Sequence, residues 1–68
     1  MSLHLRVEEC LELTDSQLVQ QIAERRATIV MLVGSLYPNI IQSEINLLAE
    51  FVGKNAIERK ALLAKRYD

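Results

Sequence analysis

The chain has 68 residues, which limits it to a single domain. Its one cysteine excludes an intrachain disulfide, and one histidine beside that cysteine is too little for a structural zinc site, which takes four ligands. Half of the residues are hydrophobic, so pairing with a second copy remains as a way to stabilise so small a core. The formal net charge is −1, so no strong electrostatic field favours binding to nucleic acid or to a membrane.

The N-terminal residues lack the basic stretch followed by an apolar stretch that marks a signal peptide. The longest apolar run, residues 29–33, is far shorter than the roughly 20 residues that a membrane-spanning helix needs. We therefore expect a cytoplasmic protein without a membrane partner, whose single thiol stays reduced.

Residues 1–13 carry a pattern that two structures explain equally well. Leu3, Leu5 and Val7 alternate with polar residues, as they would in a half-buried strand. Leu3, Val7 and Leu11 are also spaced as residues on one face of a helix. The segment is too short for its pattern to decide, so its structure stays open.

Helix one is predicted over residues 15–36. Thr14 and Gln17 have the types and spacing of a capping box, in which each side chain bonds the backbone amide of the other residue. Leu13 and Leu18 stand where a hydrophobic staple would form. The helix carries a wide apolar stripe, made of Leu18, Val19, Ile22, Ala23, Ala27, Ile29, Val30, Val33 and Leu36.

The second half of helix one is apolar on every side, since residues 29–33 read Ile-Val-Met-Leu-Val. A helix that is hydrophobic all round is buried all round, and one neighbouring helix cannot cover it, so we expect a second copy of the chain to do so. The same residues have high β-propensity, which makes a central strand the competing prediction. We favour the helix because the helical turns before residue 29 set the phase of the apolar pattern. No chain-reversal signal separates those turns from residues 29–33.

A turn is predicted between the two helices. Gly34 suits the C-terminus of helix one, and the residue before Pro38 avoids the α region. Asn39 and Gln42 then repeat the spacing of a capping box. These signals predict a helical hairpin.

Helix two is predicted over residues 40–66, with Gly53 as its doubtful point. Gly53 could end the helix, and Asn55 with Glu58 could then cap a third one. The apolar stripe keeps its phase across Gly53, so we favour one continuous helix.

No combination of residues in the sequence points to catalysis. His4 and Cys10 are the one pair that could act as base and nucleophile, and they stand in the segment of least certain structure. The sequence has no glycine-rich phosphate loop, no HExxH and no CxxC. We therefore expect neither an enzyme nor a cofactor or metal site.

Two patterns make DNA binding the alternative function. Ala49 and Gly53 have the spacing found at the turn of helix-turn-helix motifs, and a strand at residues 3–7 followed by two helices would have the order of ribbon-helix-helix repressors. Arg59 falls near a position that should face the core, and the glutamates after the strand would repel phosphate, so this alternative is not favoured. Its candidate contacts are Lys54, Arg59 and Lys60.

Taken together, the sequence predicts an all-α fold with one domain over residues 1–68. Two long antiparallel helices form a hairpin, and two hairpins form a four-helix bundle as a homodimer. Arg25 and Arg26 are expected to form interhelical ion pairs with Glu44 and Glu50. The function expected is that of a small adaptor or regulator that binds another protein. The residues expected at the dimer interface are Ile29, Val30, Leu32, Val33, Ile45, Leu48 and Val52.

Overall fold

A computed structural model describes residues 5–31 and 38–66 of the chain. A single 3₁₀ turn over Val7–Cys10 is followed by three α-helices: α1 over Asp15–Met31, α2 over Pro38–Phe51 and α3 over Ala56–Arg66. None of the described residues forms a strand, which confirms the prediction of an all-helical fold. α1 packs against α2, as the predicted hairpin requires. The predicted connection at Gly34, and the end of helix one at residue 36, lie outside the described residues.

α1 begins at the capping box that the sequence predicts. The amide of Gln17 donates to the Thr14 hydroxyl oxygen at 3.2 Å, and the amide of Thr14 donates to the Gln17 side-chain oxygen at 2.9 Å. Leu18 is fully buried and Leu13 packs against the core beside it. Two otherwise unpaired amides are thereby satisfied, and the helix begins at one defined residue.

α2 begins at Pro38, before the predicted cap. Proline is favourable at the first helical position because its missing amide would have no partner there. Asn39 therefore lies inside the helix, and Gln42 donates to the side-chain oxygen of Asn46, 3.1 Å away, instead of completing a capping box. The predicted cap was wrong, and the predicted start at residue 40 was two residues late.

The preferred prediction of one continuous helix through Gly53 was wrong. Gly53 has a positive φ of 80°, the left-handed conformation that ends a helix, and the Lys54 amide donates to the Phe51 carbonyl at 3.0 Å. Asn55 and Glu58 then form a second capping box, with hydrogen bonds of 2.8 and 3.0 Å. The apolar stripe keeps its phase across Gly53, but the caps on both sides of the glycine end one helix and begin another. α3 then packs against α2.

The N-terminal segment belongs to the core of the domain. Val7 and Cys10, from the 3₁₀ turn, are buried among side chains of α1 and α2. Val7 opens that turn, so the strand considered for residues 3–7 does not form in the part described, which starts at Leu5. The buried hydrophobic residues among those described are Val7, Cys10, Leu18, Ile22, Ile45, Leu47, Leu48 and Phe51.

Candidate functional site

Arg25 is fully buried, and its guanidinium joins three parts of the fold. Its Nε donates to Glu44 Oε1 on α2 at 3.1 Å, and its Nη1 donates to the side-chain oxygen of Gln21 at 3.0 Å. Its Nη2 donates to the backbone carbonyl of Leu5. The Gln21 oxygen also accepts from the Leu5 amide at 3.1 Å. The predicted ion pair between Arg25 and Glu44 is confirmed, with the N-terminal segment as an additional partner.

Arg59 is the second buried arginine, 4% exposed, and it holds the other end of the same segment. Its Nη1 donates to the backbone carbonyls of Leu13 at 2.6 Å and Leu11 at 3.1 Å. Its Nε donates to the Phe51 carbonyl at 3.1 Å, and its Nη2 lies 3.3 Å from Asp15 Oδ1. A buried cation is tolerated only when its donors are paired, and here backbone carbonyls do most of the pairing.

The two arginines have a structural role in common. Each reaches from a helix to carbonyl groups of residues 5–13, which have no helix or sheet of their own beyond one turn. Buried carbonyls without donors would cost roughly 1–3 kcal/mol each. The guanidinium groups therefore secure the N-terminal segment to α1, α2 and α3, and they are not free to act on a ligand.

The candidate nucleic-acid contacts do not come together on one surface. Lys54 and Lys60 are exposed, whereas Arg59 is buried in the network just described. The assignment of Arg59 to a nucleic-acid surface was wrong, because its donors are used by its own chain. Ala49, of the proposed helix-turn-helix spacing, is exposed. Only Lys54 and Lys60 of the candidate set are accessible to phosphate.

The Cys10 thiol is buried and chemically shielded. Its Sγ donates to the Arg6 carbonyl oxygen at 3.3 Å. Burial raises the pKa of this thiol, because a thiolate would lose its hydration. His4, its possible partner as a catalytic base, lies outside the described residues. A buried, protonated thiol is a poor nucleophile.

The residues expected at a dimer interface occupy two different environments. Ile45 and Leu48 lie in the core of their own chain, where α1 and the 3₁₀ turn cover them. Val30 is 72% exposed, Val52 is exposed to a lesser degree and Ile29 is half-buried. Leu32 and Val33 lie outside the described residues. Of the described set, Val30 and Val52 are the side chains that a second copy could cover.

The wide apolar stripe of α1 divides into two faces in the structure. Leu18, Ile22 and Ile29 point toward α2, but another set points away from the core. We call this second set the outer stripe, and it consists of Val19, Ala23, Ala27 and Val30. Val19 is 57% exposed, and both alanines are exposed. Successive members of the outer stripe are four, four and three positions apart, and residues at these spacings align on one side of a helix. The outer stripe is therefore a continuous apolar surface.

A groove of about 420 Å³ lies between the 3₁₀ turn and α3. Ile57, the most exposed large hydrophobic side chain of the described residues at 81%, lies on one side of it. The amide and the side chain of Arg6 both donate to Glu9, and these bonds lower the pKa of that carboxyl. We call this groove the acidic groove. The residues that line it are Glu8, Glu9, Leu11, Glu12, Ala56, Ile57 and Lys60.

No three of the described histidine, cysteine, aspartate and glutamate residues are grouped so as to hold a metal ion. Within residues 5–31 and 38–66, no helix has both the length and the apolar character to cross a bilayer. Comparisons of the chain with protein-family models, with curated proteins and with solved structures find no match.

Proposed function

We propose that the chain is a small cytoplasmic interaction module that works as a homodimer and acts by binding another protein. The α1–α2 hairpins of two copies form a four-helix bundle in this proposal. The observation that carries it is the outer stripe of α1, an apolar helix face that no part of the described chain covers. Helices with a second apolar face bury it against another helix.

The order of residues in the outer stripe favours a second copy as the helix that covers it. The two valines stand at its ends and the two alanines between them, so the order of residue types is the same in both directions, although the spacings of 4, 4 and 3 positions are only nearly symmetric. A two-fold axis near residues 24 and 25 would bring Val19 against Val30 of the partner subunit, and alanine against alanine at the centre. An interface between identical subunits needs this self-complementarity, and alanines allow the two helix backbones to approach closely.

The size of the chain supports the same proposal. A core of this size rarely supplies more than about 3–5 kcal/mol. Burying a fully exposed valine side chain contributes roughly 1.5–3 kcal/mol. The free energy gained by covering Val19 and Val30 in each of two copies is therefore large compared with the free energy of unfolding of one chain.

The proposal assigns the chain no catalytic step. The Cys10 thiol donates to a backbone carbonyl and is not paired with a base among the described residues.

Sedimentation equilibrium at micromolar concentration tests the dimer. We expect twice the mass of one chain, and we expect Val30→Asp to shift the equilibrium to the monomer while the helical circular dichroism signal is kept, because Val30 lies outside the core. Ile40→Asp is the matched control, since Ile40 is exposed on α2 and outside the outer stripe. A monomeric wild-type protein, or equal effects of both variants, would contradict the proposal.

A further inference from the structure

α3 is attached to the rest of the fold mainly through a charged side chain. None of the buried hydrophobic residues among those described belongs to α3, whose one buried residue is Arg59. Leu62 and Leu63 pack against the core but stay partly exposed. α1 and α2, in contrast, contribute the fully buried Leu18 and Leu48. Apolar burial therefore stabilises the packing of α1 against α2 more than the docking of α3.

The bonds of Arg59 are of a kind that water can replace. Its guanidinium donates to the carbonyls of Phe51, Leu11 and Leu13, and it pairs with Asp15. When α3 leaves, the guanidinium and its acceptors all become hydrated, so each lost bond is exchanged for bonds to water. Separating α1 from α2 exposes apolar side chains, for which water offers no such compensation. Undocking of α3 is therefore the less costly of the two openings.

The connection between α2 and α3 has the properties of a hinge. Residues 52–55 are all exposed, and a Cβ placed on Gly53 would meet no atom within 4 Å. The Gly53 amide donates to Asp15 Oδ1 at 3.1 Å, and the same oxygen lies 3.3 Å from the Arg59 guanidinium. One carboxylate at the start of α1 thus bonds both the hinge and α3.

We propose that α3 is a lid, which undocks and unfolds as one unit while α1 and α2 stay packed. An isolated helix of 11 residues is marginal in water, so α3 loses its helical structure when it undocks. The bonds of Arg25 to Glu44 and Leu5 do not involve α3 and persist in the open state. Segments with few buried apolar contacts open in this way without global unfolding.

The closed and open states present different surfaces. In the closed state the guanidinium carbon of Arg59 lies 5.9 Å from the centre of the Phe51 ring, and Leu62 lines a groove together with Leu47. Opening exposes these side chains of α2 and removes the wall that α3 contributes to the acidic groove. An equilibrium between two such states shifts when anything binds one of them better than the other. The lid is therefore a conformational device, and it does not depend on the proposed dimer.

Native-state hydrogen exchange of the full chain, followed by NMR at low urea concentrations, tests the lid. We expect the amides of Arg59, Leu62 and Leu63 to share one opening equilibrium, with protection at least about tenfold below that of the most protected amides of α1 and α2. Their exchange should depend less on urea, because undocking exposes less surface than global unfolding. Equal protection and urea dependence in all three helices would overturn the inference. A gradient of protection along α3 would also overturn it, since that pattern indicates fraying from the end.

Two variants distinguish undocking of α3 from unfolding of the whole chain. Ile22→Val removes one carbon atom from the core, and it should lower the protection of α1 and α2 by roughly two- to tenfold while that of α3 stays unchanged. Leu63→Ala weakens the docking of α3, and it should lower protection in all three helices by one common factor, because global unfolding includes undocking. A loss of α3 protection in Ile22→Val would mean that α3 opens only with the whole fold, which would contradict the lid.

Val30→Asp separates the lid from the proposed dimer. Val30 is exposed on α1 and lies outside the core, so this variant should leave the protection of α3 as it is in the wild type. A fall in α3 protection in Val30→Asp would mean that a second copy keeps the lid closed, and it would overturn the inference. A monomeric wild type with an independently opening α3 would contradict the dimer but support the lid.

Discussion

The guanidinium of Arg59 donates a 2.6 Å hydrogen bond to the backbone carbonyl of Leu13, a residue 46 positions earlier in the chain. This contact joins the start of α3 to the loop that leads into α1. Asp15 strengthens the same junction, since its Oδ1 accepts from the Gly53 amide at 3.1 Å and from Arg59 at 3.3 Å. The turn between α2 and α3 is therefore tied to the N-terminus of α1 by one arginine and one aspartate.

Replacing Arg59 with methionine should destabilise the fold strongly. The variant keeps much of the side-chain volume but leaves the carbonyls of Leu11 and Leu13 without their donor. We expect the free energy of unfolding to fall by at least about 2 kcal/mol, measured by urea denaturation. Lys60→Met is the control, because Lys60 is its exposed neighbour and its replacement should change stability by no more than about 0.5 kcal/mol. Equal midpoints for the two variants would contradict this role for Arg59.

Glu44→Gln should destabilise the fold, because the buried Arg25 cation is compensated by the Glu44 carboxylate. The Glu44 side chain is 24% exposed and Arg25 is fully buried, so removing the negative charge leaves a buried cation with only neutral acceptors. We expect a loss of about 1–3 kcal/mol in thermal or urea unfolding. Glu50→Gln, on the exposed side of the same helix, should have almost no effect. A loss of the same size in both variants would mean that helix charge in general, and not the Arg25 pair, is responsible.

Gly53→Ala should cost stability through backbone conformation alone. The φ of Gly53 is 80°, and a Cβ placed there would meet no atom within 4 Å, so no steric clash contributes. We expect a loss of about 1 kcal/mol for alanine and a smaller loss for asparagine, which adopts the left-handed region more readily. Chemical denaturation of the two variants side by side measures the difference. Unchanged stability of Gly53→Ala would mean that this turn does not need the left-handed conformation.

The Cys10 thiol should react slowly with thiol reagents in the native protein. Its pKa is raised by burial, so the thiol stays protonated at pH values where a free cysteine already ionises. Because the proton is held more tightly in the folded state, this group contributes stability below the pKa of the unfolded thiol, and that contribution is lost as the pH rises through the folded pKa. Labelling with Ellman's reagent at pH 8 should be slow in buffer and fast in urea. Fast labelling of the native protein would contradict the burial of Cys10.

Local signals in the sequence were sufficient to predict that the fold is helical and where α1 begins. The capping box of Thr14 and Gln17 involves residues three positions apart, and such a short-range bond forms with little help from the rest of the chain. The break at Gly53 could also have been chosen correctly, because the Asn55 and Glu58 capping box was visible in the sequence. Continuity of the apolar stripe was the weaker signal, since α2 and α3 each bury one face without sharing an axis.

What the sequence by itself determined is thus part of the local structure: the helical class, the start of α1 and the supply of apolar side chains. The tertiary structure alone decided which of those side chains meet. Periodicity groups Ile22 and Val30 in one stripe, yet one lies toward α2 and the other points outward. Periodicity places Arg59 near a position that should face the core, but it does not show what would pair with a buried Arg25 or Arg59, because the carbonyls that accept from each guanidinium come from residues far away in the chain. Burial of a charge is a property of the partners that the fold assembles, and spacing along one helix does not report them.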